Sequence, residues 1–174
     1  TLIFGLDRYS SVIEAYIAGL ERLAADPGAD LSQVASVASF FISRVDSEVD
    51  TRLDSIGSDE ALVLRGKAAV AQGKLAYQLF LEAFTGPRWE ALAARGARVQ
   101  RPLWASTSTK NAAYPDTLYV DELIGPDTVN TLPEATIEAF SDHGTVARRV
   151  DADIDDPRAV WQSLADVGVD MDDV

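Results

Sequence analysis

In "SFFISR", residues 39–44, and in "ASTSTKN", residues 105–111, a short apolar run passes directly into hydroxyls and a single cation. Ser39, Phe41 and Arg44 make up the first set. Ser106, Thr107, Ser108, Thr109, Lys110 and Asn111 make up the second. A guanidinium can grip a phosphate through two N–H groups, an ammonium serves as a point charge, and hydroxyls add neutral donors. The chain carries 28 acidic against 15 basic residues, a formal net charge of −13. Against that background two cations set among hydroxyls read as an anion site. A solvated loop with a salt bridge is the competing reading of the same residues. "VNT" adds Asn130 and Thr131 at the end of a third apolar run.

Other chemistry-bearing residues point nowhere as definite. His143 is the single histidine, in "SDHG", and reads as a residue that ends a helix. There are no cysteines, so disulfides, thiolate nucleophiles and cysteine metal sites are excluded. With one histidine and no thiol a transition-metal site has too few ligands. "DADIDD" and "DMDDV" lack the spacing of glycine and glutamate that a calcium loop requires, and read as solvated acidic loops. "DSEVD" gathers Asp46, Glu48 and Asp50, expected at a helix N-terminus where negative charge is favourable. No glycine-rich dinucleotide fingerprint, P-loop or nucleophile elbow occurs. The strong acidity would repel phosphate backbones and anionic lipid, so neither nucleic acid nor membrane is expected as a partner.

The elements that must hold these residues alternate. "TLIF" is a short β-type run. Val12, Ile13, Tyr16, Ile17, Leu20, Leu23 and Ala24 then recur at helical spacing, with Ser10 or Ser11 as the cap. Val34–Phe41 reads as a strand buried on both faces. A long helix is expected from Glu60 to Phe84, then a short helix stopped by Gly96. A strand follows over residues 101–106, then a short helix, a short strand, a helix with Pro133 near its first turn, and a last amphipathic helix. Alternation of this kind predicts an α/β fold of parallel βαβ units in a single domain. It leaves two solutions, an open doubly wound sheet or part of an eight-stranded barrel. A full barrel takes about 250 residues, so four strands in 174 residues would be about half of one. The strand character at residue 1 and the missing initiator Met suggest a chain that starts inside a larger unit. No apolar run approaches the ~20 residues of a membrane span, and the N-terminus lacks a basic leader.

"TLIFGLDRYSSVIEAYIAGLERL", "SVASFFISRVDSEVD" and "RPLWASTSTKNAAYPDTLYVDELIGPDTVNTLPEAT" together resemble the transaldolase family, in the longer form typical of actinobacteria, whose relatives are sometimes fused to glucose-6-phosphate isomerase. The resemblance covers nearly the whole chain. It implies the C-terminal half of a (β/α)₈ TIM barrel of the class I aldolase type, cut at both ends. It also implies a cytoplasmic enzyme of the pentose phosphate pathway, without metal or organic cofactor. The implied reaction transfers a dihydroxyacetone unit from sedoheptulose 7-phosphate or fructose 6-phosphate to an aldose phosphate through a lysine Schiff base.

Carried over by motif, Thr1 would be catalytic, helping to position the water that shuttles protons. Ser39 and Phe41 would line the sugar pocket, and Arg44 would bind phosphate. Ser106, Lys110 and Asn111 would bind substrate as well, Lys110 near the second phosphate-binding cation. In shorter relatives an arginine stands two residues after the serine, whereas here a lysine stands four after it. The Schiff-base lysine of the family lies upstream of Thr1, so the expected partners are sugar phosphates and a missing N-terminal half of the barrel. A homodimer covering the open sheet edges is the other expected association. An inactive sugar-phosphate-binding half-barrel is the alternative function.

Overall fold

The computed structural model describes residues 2–171, 173 and 174, so the expectation for Thr1 lies outside the described residues. Four strands form one parallel sheet in the order β1-β2-β3-β4: β1 (Leu2–Ile3), β2 (Ser36–Phe41), β3 (Gln100–Ala105) and β4 (Val129–Asn130). Between β1 and β2 runs α1 (Leu6–Ala24). Between β2 and β3 run α2 (Ser43–Ile56), α3 (Asp59–Leu62), α4 (Ala68–Ala83) and α5 (Gly86–Ala93). The short α6 (Leu118–Glu122) precedes β4, and α7 (Glu134–His143) and α8 (Asp155–Asp166) follow it. Strands neighbouring in sequence are thus neighbours in the sheet, joined by helical crossovers. This is the arrangement of half a TIM barrel.

Strand periodicity decides which residues reach the helices. Ala38 and Phe40 of β2 and Trp104 of β3 are buried on one face, against Tyr9, Ile13 and Ile17 of α1 and Val45 and Val49 of α2. The expectation that β2 is buried on both faces is corrected. Val37 is 46% exposed on the opposite face, where Leu2 is 65% and Phe4 38% exposed. Phe4 and Phe41 stack there, ring centroids 4.8 Å apart. The helices cover only one side of the sheet, so the strand alternates where a fully enclosed one would read continuously apolar.

Trp104 knits the core together. Its ring meets Phe40 edge-on at 6.1 Å. Its indole N–H donates to the Leu123 carbonyl just after α6 (3.0 Å), and its own carbonyl accepts the Thr131 N–H beyond β4 (3.1 Å).

Two further expectations are corrected. α1 starts at Leu6, capped by Gly5, so Ser10 and Ser11 lie inside it and the Ser11 hydroxyl turns back to the Asp7 carbonyl. The long helix over 60–84 is two helices, α3 and α4, separated at Gly66, whose φ of +72° is left-handed. Lys74 is buried on α4 and ion-paired with Glu122 (3.0 Å). Small residues at Ala68, Ala69, Ala71, Gly73 and Ala76 bring α4 close to its neighbours, and α8 packs against it. Among the described residues no helix is long and apolar enough to cross a membrane.

Candidate functional site at the strand ends

Ligands of parallel α/β folds collect where the strands end. The ends of β2 and β3 are locked together here. Ile42 N–H donates to the Ala105 carbonyl and Ser43 N–H to the Ser106 carbonyl, each at 3.0 Å. The Ser43 and Ser106 hydroxyls lie 2.8 Å apart. Ser106 has φ +58°, a left-handed conformation that a non-glycine residue adopts at a cost of about 1 kcal/mol or more. Strain of this kind, held by neighbouring bonds, is typical of functional loops.

Both candidate cations leave from this junction. Arg44 follows Ser43 in the first turn of α2 and is exposed. Its guanidinium carbon stands 5.5 Å from the Phe41 ring centroid, a cation–π contact. Among the described residues no carboxylate lies within ion-pair distance of it. Lys110 is exposed on the loop after β3, its ammonium donating to the Ser108 hydroxyl (2.8 Å). The Asn111 side-chain carbonyl accepts the Ala113 N–H (2.9 Å), so this amide closes a turn. Ser39 and Phe41 are half-buried and lie on the open face of β2, Ser39 in register with Leu2 and Leu103.

The hydroxyl run divides its labour. Thr107 is fully buried and donates to the Asn130 side-chain carbonyl (2.7 Å), fastening the loop to β4. It is removed from the anion-facing set, along with Asn130. Ser106, Ser108 and Thr109 are half-buried, and Arg44, Lys110 and Asn111 are exposed.

Behind the junction lies a feature that helical position alone misplaces. Asp46 and Asp50, expected at a helix N-terminus, lie one helical turn apart on α2, Asp46 buried and Asp50 half-buried. Asp46 accepts the Ala69 N–H (2.7 Å) and the Tyr119 hydroxyl (2.7 Å). Asp50 accepts the Gly66 N–H (2.9 Å) and the Tyr114 hydroxyl (2.5 Å). The signal available in the sequence is the i,i+4 spacing of the two carboxylates between Val45, Val49 and Leu53, which puts them beside the apolar stripe.

Burial pushes the Asp46 carboxyl from 3.8 up to about 6, and the Ala69 and Tyr119 donors only partly offset it. Between pH 3.8 and about 6 the folded state therefore holds a proton that the unfolded chain has already released. Asp46 thus lowers stability progressively as pH rises through this window, with its full cost above pH 6. Asp46→Asn, nearly isosteric and uncharged, is expected to gain stability relative to the parent as pH rises from about 4 to about 7 in urea unfolding. A pH-independent difference would contradict the assignment.

The family model for Transaldolase/Fructose-6-phosphate aldolase matches residues 1–174. The chain is 60% identical over 175 residues to a transaldolase of Frankia alni and 60% to one of Parafrankia sp., covering 47% of each. It is 56% identical over 175 residues to a transaldolase of Acidothermus cellulolyticus, covering 46% of it. The whole chain is matched in each case and spans about half the length of these curated relatives. With four parallel strands, crossover helices and polar strand ends, the chain belongs to the transaldolase and fructose-6-phosphate aldolase family.

Proposed function

We propose that this chain acts as the C-terminal half of a transaldolase and supplies its sugar- and phosphate-binding residues. The observation that carries the proposal is Arg44. It is exposed at the end of β2 over the Phe41 ring, in a chain of net charge −13, and no acid pairs with it among the described residues. Arg44 and Lys110 hold the phosphate of fructose 6-phosphate or sedoheptulose 7-phosphate, with Ser106 and Asn111 as neutral partners. Ser39 and Phe41 line the sugar chain. The open apolar face at Leu2, Phe4 and Val37 meets the N-terminal half of the barrel.

The reactive amine in this reading is a lysine of that other half. It adds to the ketose carbonyl and water leaves, forming a protonated imine. The bond between C3 and C4 then breaks as the C4 hydroxyl gives up its proton. The aldose phosphate departs as an aldehyde, and the electron pair is retained as an enamine on the lysine. Attack of the enamine on a second aldose phosphate and hydrolysis of the new imine regenerate the amine. Thr1 aids the water that carries these protons.

The chain has three lysines. Lys67 is exposed at the start of α4, Lys74 is held by Glu122, and Lys110 is in the loop. None stands on the open sheet face, which equally suits a sugar-phosphate binder without transferase activity.

Borohydride trapping with fructose 6-phosphate, read by intact mass, tests both readings. The 18.7 kDa chain is expected to stay unmodified, and a longer chain extended upstream of Thr1 is expected to gain a dihydroxyacetone-sized adduct. An adduct on the short chain would make Lys110 the nucleophile and overturn the division of labour. No adduct on either would favour the binding module.

A further inference from the structure

We propose that Asp46 and Asp50 are positioning residues for the phosphate site, forming a two-point bracket on α2 that holds the loop bearing Lys110 and Asn111. The inference rests on the assignment of Lys110 to phosphate binding.

The two carboxylates make four hydrogen bonds, and these divide evenly between two segments. One pair goes to backbone N–H groups of the corner between α3 and α4, at Gly66 and Ala69. The other pair takes the hydroxyls of Tyr114 and Tyr119, which flank the turn between the Lys110 loop and α6. α2 is itself anchored at the strand junction through Ser43. The bracket therefore ties the loop after β3 to the same helix that carries Arg44 in its first turn.

The tether reaches the site in one step. Tyr114 N–H donates to the Asn111 carbonyl (3.1 Å), so the residue whose hydroxyl is fixed by Asp50 also closes the turn next to Lys110. Asp46, Asp50, Tyr114 and Tyr119 line a cavity of 160 Å³ together with Lys110 and Asn111. Gly66 completes the seat. A Cβ there would come within 2.7 Å of the Tyr114 ring, so the ring lies flat on bare backbone, and the left-handed φ of +72° excludes other residues at low cost. The bracket's carboxylates are both satisfied by donors from these segments. That leaves the Lys110 ammonium free of an internal carboxylate partner among the described residues, with its charge available to an anion.

The test uses the assembled enzyme, this chain together with its upstream half. Tyr114→Phe removes the tethering hydroxyl and keeps the ring. Gly66→Ala displaces the ring from the other side. Asp50→Ala removes the acceptor, and Asp50→Asn restores one. The readouts are KM for fructose 6-phosphate, kcat, and the inhibition constant of inorganic phosphate.

Tyr114→Phe, Gly66→Ala and Asp50→Ala are each expected to raise KM and the phosphate inhibition constant by roughly 10-fold, the size of one hydrogen bond to a charged group. The fall in kcat should be smaller, and Asp50→Asn should recover much of the loss. Unchanged phosphate inhibition in all the variants would overturn the proposal. So would a fall in kcat with KM and phosphate inhibition untouched, the result expected of a purely structural bracket. Arg44→Ala run in parallel separates the two levels. If it weakens phosphate inhibition and the bracket variants do not, the bracket alone fails. If Arg44→Ala has no effect either, the phosphate-site reading fails with it.

Discussion

Arg44→Ala is expected to raise KM for fructose 6-phosphate about 100-fold in the assembled enzyme, with a much smaller fall in kcat. A bidentate guanidinium–phosphate contact contributes two charge-assisted hydrogen bonds, together about 3 kcal/mol net, which converts to a factor of about 100. In the proposed reaction the phosphate is remote from the bond being broken and would be held equally in ground and transition states, so its loss would appear in KM. The surroundings of Arg44 suit the proposed use. The Phe41 ring, 5.5 Å from its guanidinium carbon, makes a cation–π contact with it, and among the described residues no carboxylate competes for its N–H donors. Arg44→Lys should fall between parent and alanine, since an ammonium keeps the charge and loses both the fork and the stacking. Steady-state kinetics with fructose 6-phosphate, and with inorganic phosphate as inhibitor, measure the effect directly. An unchanged KM would remove Arg44 from the site.

The second large effect falls on stability. Trp104→Ala should destabilise the protein by about 3–5 kcal/mol, measured as the shift in urea unfolding, because it empties the volume of the largest fully buried side chain among the described residues. More than volume is lost. The Leu123 carbonyl forfeits its indole donor and the Phe40 ring its edge-on neighbour. Trp104→Phe keeps an aromatic ring and isolates the hydrogen bond, so a loss of about 1–3 kcal/mol is expected from the unsatisfied carbonyl and the smaller volume. Val146, 84% exposed, supplies the contrast. Val146→Ala should stay within about 0.5 kcal/mol of the parent. A Trp104→Ala shift as small as that would show that the sheet and α6 are not joined through this residue.

The joint between β2 and β3 shows how far the residues announce the site. Ser39, Phe41 and Arg44 are visible because a strand that turns from apolar to polar must be ending, and strand ends in parallel sheets face the ligand. Lys110 is visible as an isolated cation in an acidic chain. The junction itself, Ser43 against Ser106, is not legible, since two serines 63 positions apart carry no mutual signal until the strands pair. Thr107 illustrates the same limit in the opposite direction. Within a run of hydroxyls nothing in residue type separates the one that turns inward to Asn130 from its outward neighbours.

Asp46 and Asp50 mark the sharpest difference. Acidic residues early in a helix usually face water, where the helix dipole favours them. Here the face on which they fall is covered by the corner at Gly66 and by two tyrosines from beyond β3, partners that arrive from outside the helix. The division is physical. Periodicity, charge balance and strand-end polarity are local, and they determined the α/β alternation, the parallel sheet and the choice of Arg44 and Lys110 as phosphate candidates. Which face of each strand is covered, which hydroxyls turn inward, and why two carboxylates turn away from water depend on segments distant in sequence. Those outcomes were decided when the crossovers brought α2, the Gly66 corner and the Lys110 loop into contact.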